Sequence, residues 1–275
     1  MRHGIVILGI ISLLSLFGVV TPGCDSGSKS DGLFSGMFPP EPGEVAREAF
    51  NVYDPDKRRK SVNLLSNAPW GGEAPYLKTY RLLVDDPDPT VRAACLRALG
   101  KHGEPSDVAA ILPYLKDKTD FVRWEAAKAL QRLHDPSAVD PLLEALRDDD
   151  EADVRAASAN ALSQYPLPRV FQGLIGALND ENYAVVVESE RALETLTGEQ
   201  FGEDGSRWLA WSENHESDLF LGKDVYYYPQ FVPPPTFWQK MQFWKQPKQI
   251  VPQQPAGIDE TDPLFRKPNE TAAAK

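Results

Sequence analysis

The chain has 275 residues, of which 42% are hydrophobic and 25% charged, and its formal net charge is −11 at pH 7. This acidic balance argues against a nucleic-acid-binding protein, because affinity for phosphate comes from clustered lysine and arginine. The two cysteines are too few to suggest a disulfide-stabilised fold.

The first residues predict a secretory signal. Arg2 precedes an uncharged stretch, residues 4–20, and a glycine and Cys24 follow it. A basic start, an apolar core and a small residue before the break are typical of such signals. The junction resembles that of a bacterial lipoprotein, which implies removal of residues 1–23, a lipid on Cys24 and an anchored protein that faces the periplasm from a membrane of the cell envelope. An uncleaved membrane helix is the alternative, although the stretch is short for a span. Residues 24–43 are predicted to be a flexible tether.

A helical pattern then recurs at intervals of 31 to 34 residues. Each copy ends in a leucine, eight residues after its start, and in three copies a Val-Arg pair begins the pattern. The copies span residues 57–65, 91–99, 122–130, 154–162 and 185–193. In the copy at residues 91–99, apolar or small residues fall at i, i+3, i+4, i+7 and i+8, the stripe of an amphipathic helix. Repetition at a period of this size indicates a stacked-repeat solenoid.

A second apolar stripe follows each of the first four copies. These stripes lie at residues 77–84, 108–115, 139–146 and 171–178. Glycine or proline separates the two stripes of a unit, and acidic turns separate the units, as expected of helix ends and N-caps. We therefore predict an all-α solenoid of about five helical hairpins at residues 44–197, each made of a Val-Arg helix and the helix after it. Pro113 and Pro141 are expected to kink or shorten the second helices.

The Asp-x-Val-Arg and Asp-x-x-Val-Arg openings resemble HEAT repeats of the short bacterial kind first associated with phycobilin lyases. The resemblance covers about 150 residues and implies a right-handed α-solenoid. It also implies a ladder of ion pairs and hydrogen bonds that joins neighbouring repeats. The residues that match the ladder positions are Asp88, Arg92, Asp120, Arg123, Asp153 and Arg155. The resemblance does not define a function, because the same repeat serves scaffolds, lyases and hydroxylases.

Two segments follow the repeats. Residues 198–218 contain Trp208 and Trp211 on a short predicted helix, which we expect to cap the exposed face of the last repeat. An aromatic site for a stacking ligand is the alternative. Residues 219–275 are predicted to be a largely disordered tail, since residues 225–275 hold nine of the 24 prolines.

One aromatic segment of the tail is a candidate partner-binding site. Its apolar residues share one face of two predicted helical turns, and lysines flank them. They are Phe237, Trp238, Met241 and Trp244. Such a face suits a partner's groove or a membrane interface. A third alternative is that the segment folds back onto the chain's own acidic solenoid.

No pattern of residues indicates catalysis or a cofactor. The four histidines, at positions 3, 102, 134 and 215, lack the spacing of metal ligands. The carboxylates recur at every turn, as helix caps do, whereas a catalytic pair would occur once. Cys95 aligns with the small residues Ala126 and Ser158, which favours a packing role over a nucleophile. We expect a protein that is not an enzyme and that binds neither metal nor cofactor.

These features favour a membrane-anchored scaffold or adaptor that binds a protein partner. The groove of an acidic solenoid favours a basic segment or a cationic ligand, or the charge serves only to keep the surface soluble. Two other functions stay open: a lyase or chaperone-lyase for a chromophore or other small molecule, and an inert structural protein of the envelope.

Overall fold

The computed structural model describes residues 41–230 and 251–258. This part of the chain contains eleven α-helices and no β-strand. The helices are α1 (Pro42–Glu48), α2 (Pro55–Asn67), α3 (Ala74–Leu83), α4 (Pro89–His102), α5 (Val108–Ile111), α6 (Asp120–Leu130), α7 (Val139–Asp148), α8 (Ala152–Leu162), α9 (Pro168–Ala177), α10 (Tyr183–Thr197) and α11 (Gly205–Ser212). The predicted all-α solenoid is confirmed.

The helices stack in two layers. The even-numbered helices α2, α4, α6, α8 and α10 pack against one another in chain order, and we call them the even layer. The odd-numbered helices pack on their even-numbered neighbours and, from α5 onward, on each other, and we call them the odd layer. Every predicted Val-Arg helix belongs to the even layer. One face of the protein is therefore built from the equivalent helix of each successive repeat.

The hairpins pair differently from the prediction. Each even helix packs more extensively on the odd helix before it than on the one after it, so the five hairpins run from α1–α2 to α9–α10 and cover residues 42–197. Their number agrees with the sequence analysis, but the pairing of each Val-Arg helix with the following helix is wrong. The arginine explains this: Arg92 Nη1 on α4 donates to Asp86 O at 2.9 Å, in the acidic turn that precedes it. That hydrogen bond ties α4 to the turn between α3 and α4, and so closes the α3–α4 hairpin.

The two prolines inside the odd layer act differently. Pro113 shortens its helix, since α5 has four residues and a 3-10 turn, Leu112–Lys116, replaces the rest. Pro141 is the third residue of α7, Val139–Asp148. The first turn of a helix needs no amide hydrogen there, so Pro141 causes no break and the predicted disruption is wrong at this position.

The core runs unbroken along the repeats. The valine and leucine that bound each Val-Arg pattern are at most 1% exposed, as at Val91 and Leu130. The same holds for the poorer first copy at Leu65 and for the last copy at Leu193. The apolar stripes read from the sequence are thus the faces that bury the two layers against each other.

Two segments of the tail form a strap on the solenoid, which we define as residues 224–230 and 251–258. Ala256 N donates to Arg132 O, and Ala256 O accepts from His134 N, both at 2.8 Å. Tyr226, 8% exposed, donates from its hydroxyl to Asn160 Oδ1 at 2.8 Å. The prediction of a disordered tail is wrong for these residues, because their backbone and tyrosine side chains find partners on the solenoid.

None of the helices in the two described segments is both long enough and apolar enough to cross a membrane.

Candidate functional site

A ladder of buried ion pairs joins the repeats along the hairpin turns. Arginine donates through Nε and Nη2 to both oxygens of an aspartate in the next turn, at 2.7 to 2.9 Å. The pairs are Arg58–Asp86, Arg92–Asp117, Arg123–Asp149 and Arg155–Asp180. The arginine side chains are 8–12% exposed. A bidentate geometry of this kind fixes the rotation of each repeat against the next.

The first three ladder aspartates, Asp86, Asp117 and Asp149, each connect two consecutive arginines. Asp117 accepts from Arg92 with its carboxylate, and its backbone carbonyl accepts from Arg123 Nη1 at 3.1 Å. Its carboxylate also accepts from Thr119 N at 2.9 Å, which shapes the turn. Burial of the Asp117 carboxylate opposes its ionisation, but these hydrogen bonds outweigh burial and lower its pKa. The ladder ends at Asp180, because Val186 stands where the next arginine would be.

The structure corrects the three aspartates that the resemblance implied. Asp88 caps α4, where its carboxylate accepts from Thr90 N and Oγ1 at 2.8 and 2.6 Å. Asp120 accepts from Phe121 N at 2.6 Å, and Asp153 is exposed. These residues lie too close to the helix to reach the preceding repeat's arginine. The arginines of the prediction do lie in the ladder, but with other carboxylates.

The sequence did contain a signal for the correct carboxylates. Asp86, Asp117 and Asp149 each precede the arginine of their own repeat by six residues, and Asp180 precedes Val186 by six. The implied aspartates precede it by four, three and two. A ladder needs one geometry in every repeat, so constant spacing is the better criterion.

The predicted cap lies over α9. Trp208 on α11 is fully buried, donates from Nε1 to Gly202 O at 2.8 Å, and meets Phe171 and Phe201 edge-on at 6.4 and 4.9 Å between ring centroids. Trp211 is half-buried and stacks on His215 at 4.7 Å. The Trp208 ring is thus used for packing, and a ligand could stack only on the outer edge, at Trp211.

Cys95 lies in the centre of the core. Its side chain is fully buried between the layers, and desolvation raises the pKa of the thiol far above its ordinary value. A thiol in this state is a poor nucleophile.

The exposed face of α2, α4 and α6 forms a groove of about 780 Å³. Four cationic side chains line it: Arg97 and Lys101 on α4, Lys128 on α6, and Arg132 in the turn just after α6. We call this region the basic groove. Glu125 is the acidic residue among its described lining residues, and it accepts from Arg97 Nε at 3.0 Å and also from Arg97 Nη2. The charge of this surface is opposite to that of the whole chain.

The cations occupy equivalent positions of two successive repeats. Arg97 corresponds to Lys128 and Lys101 to Arg132, 31 residues apart. Amides stand at both flanking pairs of positions: Asn63 and Asn67 on α2, then Asn160 on α8 and Gln164 just after it. The even layer therefore presents a polar row whose centre is cationic.

The strap covers one end of this row and leaves the other open. At α8, Asn160 Oδ1 accepts from Tyr226, and at α6 the Arg132 guanidinium lies 5.2 Å from the Tyr228 ring centroid. Tyr228, Gln230 and Gln253 form the edge of the basic groove. Within residues 41–230 and 251–258, the part of the row over α2, α4 and α6 is thus left uncovered by the strap.

Several candidate residues lie outside the described residues. They are the lipidation site Cys24 and the aromatic residues Phe237, Trp238, Met241 and Trp244. Among the described residues, no three histidine, cysteine or acidic side chains are grouped so as to hold a metal ion.

Comparison with known families identifies the repeats. The family model described as HEAT repeats matches residues 48–130, 77–163 and 111–194, which together exceed half of the chain. The chain therefore belongs to the HEAT-repeat family. No curated protein matches it.

Several solved structures are similar to the chain at low identity. A designed armadillo repeat protein, YIII(Dq)4CqI, is 15% identical over 65% of this chain and 93% of its own, with a TM-score of 0.48. A related design in complex with the peptide (KR)4 is 17% identical over 65% and 93%, also at 0.48. The complex of CpcE and CpcF of phycocyanin lyase from Nostoc sp. PCC7120 is 23% identical over 55% and 96%, at 0.43.

Proposed function

We propose that the protein is a membrane-anchored, periplasm-facing adaptor that holds a protein partner on its even layer and contacts a second one through the aromatic tail segment. The open groove over α2, α4 and α6 is the observation that carries this proposal. A repeated, rigid and partly uncovered polar face is the surface through which solenoid repeats contact other chains.

Site-specific crosslinking in cells tests the adaptor function. A photoreactive amino acid at Asn63 or Lys101, on the groove, is expected to capture a defined protein in the full-length chain. The matched controls carry it at Lys78 or Lys118, which are exposed outside the groove. Equal capture of abundant proteins at all four positions would refute the adaptor function, and recovery of a bound chromophore would favour a lyase.

The tail contribution needs a separate comparison. A chain with Trp238→Ala and Trp244→Ala is expected to keep crosslinking at Asn63 and to lose one captured protein. If the set of captured proteins is unchanged, the aromatic segment is not a partner-binding site.

The membrane anchor is tested through Cys24. Metabolic labelling with a fatty acid is expected to mark the protein, and Cys24→Ala is expected to abolish the label and release the chain from the membrane fraction. A labelled Cys24→Ala chain would contradict lipidation at this residue, and an unlabelled wild-type chain in the membrane fraction would favour an uncleaved helix.

A further inference from the structure

The basic groove combines positive charge with open space in an acidic protein. Among the described residues, Lys101, Lys128 and Arg132 make no ion pair with a carboxylate. Lys101 Nζ donates to Ser66 O and Asn67 Oδ1, at 2.9 and 3.1 Å. Lys128 Nζ lies over the Trp124 ring, 3.9 Å from its centroid. Their charges are therefore held in place by neutral groups.

These cations also repel one another. Desolvation, and then the charge of Arg132, lowers the pKa of Lys101. Desolvation also lowers the pKa of Lys128, and the charges of Arg132 and Arg97 act in the same direction against the opposing charge of Glu125. An anion placed among these side chains would offset the repulsion and favour the charged form of both lysines. A basic segment, which the net charge of the chain suggested, would increase the repulsion.

From this arrangement we infer that the basic groove binds an extended acidic segment of the partner protein, with carboxylates at alternate positions. The inference deepens the proposed function and rests on it. It assigns Arg97, Lys101, Lys128 and Arg132 as the residues that contact the carboxylates.

The spacing of the cations fits an extended chain better than a compact anion. Residues four apart on a helix lie about 6 Å apart along its axis, and neighbouring helices lie about 8–10 Å apart. Side chains on one face of an extended segment lie about 6.6 Å apart. Two carboxylates on one face can thus meet both cations of α4, whereas one small anion cannot reach all four cations.

The edges of the groove suit a peptide backbone. Asn63 and Asn67 lie on one side, and Gln230 and Gln253 on the other. Side-chain amides offer both donors and acceptors, which an extended backbone requires. The strap itself places an extended chain at the end of this face, because Ala256 bonds through its backbone to Arg132 and His134, just after α6.

Binding of model peptides to the full-length protein tests the inference. The probes are a fluorescent octapeptide that alternates glutamate with serine and one that alternates lysine with serine. The glutamate peptide is expected to bind and to lose affinity as salt rises, since salt screens exposed charge pairs. Equal or stronger binding of the lysine peptide would overturn the inference, as would failure of the glutamate peptide to bind.

The variant Lys101→Gln/Lys128→Gln supplies the residue-level test. We expect its Kd for the glutamate peptide to rise at least tenfold. The control Lys78→Gln/Lys118→Gln makes the same change in net charge at exposed positions outside the groove and is expected to stay within twofold of the wild type. Equal losses in the two variants would mean a general charge effect and would overturn the site. Displacement of the peptide by millimolar citrate or by a short oligonucleotide as effectively as by an unlabelled glutamate peptide would overturn the choice of ligand.

Cellular crosslinking separates this inference from the proposed function. If the partner is captured from Asn63 as well by the Lys101→Gln/Lys128→Gln chain as by the wild type, the adaptor function stands and the acidic segment is refuted. If no protein is captured by either chain, the adaptor function fails, while the peptide affinities still decide the chemistry of the groove.

Discussion

Single residues in the ladder matter more for stability than their position in turns near the surface suggests. Arg123 reaches backward to the Asp117 carbonyl and forward to the Asp149 carboxylate, whose side chain is 5% exposed. Removing one partner of a buried pair leaves a charge without compensation, which is more damaging than removing both.

We expect Arg123→Met to lower the free energy of unfolding by about 3 kcal/mol, near the lower end for buried pairs because the ladder lies at the turns. Adding Asp149→Asn should recover part of the loss, since an amide keeps the hydrogen bond from Glu151 N and carries no charge. Arg169→Gln, which breaks an exposed pair with Asp140, should leave the urea midpoint unchanged. A double variant less stable than Arg123→Met would contradict this account.

The attachment of the strap depends on one glycine. Gly257 has φ +98°, and a Cβ atom there would lie 2.5 Å from Pro105 Cγ and 2.8 Å from His134 O. Neither the backbone conformation nor the space admits a side chain.

Gly257→Ala is therefore expected to detach the strap while the repeats stay folded. Amide exchange at Ala256 and His134 should accelerate at least tenfold, and exchange in the core of α8 should not change. Gly176→Ala, in α9 with nothing within 4 Å of the added methyl, is the control and should stabilise the helix slightly. Unchanged exchange at Ala256 in the Gly257→Ala chain would show that the strap is held by other contacts.

Among the helices, α11 has the clearest separate role. It supplies Trp208 to the end of the odd layer, where no further repeat covers Phe171. In a solenoid each repeat is stabilised by its neighbours, so loss of a cap should act first on the last hairpin.

Trp208→Ala should cost about 3–5 kcal/mol of local stability, as expected for loss of a buried tryptophan. Amide exchange should report the loss in α9 and α10 before it appears in α4. Leu209→Ala, at a side chain 41% exposed on the same helix, is the control and should have a small effect. Uniform destabilisation of all helices would indicate that the solenoid unfolds as one unit and that α11 is not a separate cap.

The elements also show what the sequence could predict. Apolar periodicity located the even-layer helices and the cap, because burial of Val91 or Trp208 leaves a direct trace in spacing. The hairpin pairing depends on which turn an arginine contacts, and apolar periodicity does not carry that information. The ladder carboxylates were marked in the sequence only by their constant spacing of six residues before the arginine. The strap was missed because the tail that contains it, residues 219–275, is rich in proline. Its order comes instead from Tyr226 and Ala256, which bond to the distant Asn160 and Arg132.

For the whole molecule, net charge is a poor guide to the charge of the groove. The −11 charge is spread over turns and caps, whereas the groove over α4 and α6 is lined by four cations and Glu125. The net charge is a sum over the whole chain, so it cannot reveal a local patch of opposite charge. Only the stacking of the repeats brings the cations of that patch together.

The ladder aspartates also set how the whole solenoid responds to acid. The pKa of Asp180 is below its ordinary value of 3.8, chiefly through its hydrogen bonds from Arg155, and the pKa of Asp117 is lowered by Arg92 against the effect of burial. A carboxylate whose pKa is lower in the folded than in the unfolded state binds protons more readily when unfolded. Its stabilising contribution is complete above pH 3.8 and is lost as the pH falls through the folded-state value.

The free energy of unfolding should therefore change little through the ladder between pH 7 and 5 and should fall below about pH 4 as the unfolded chain takes up protons first. Protonation also relieves repulsion among the excess acidic residues, which opposes this loss of stability. The contribution of the ladder must therefore be measured by comparing the wild type with a variant that lacks one ladder carboxylate. Asp180→Asn cannot titrate at this position, and its urea midpoint should lie below that of the wild type at pH 7 and approach it at pH 3. Parallel profiles for the two chains would show that the Arg155–Asp180 pair does not contribute to acid sensitivity.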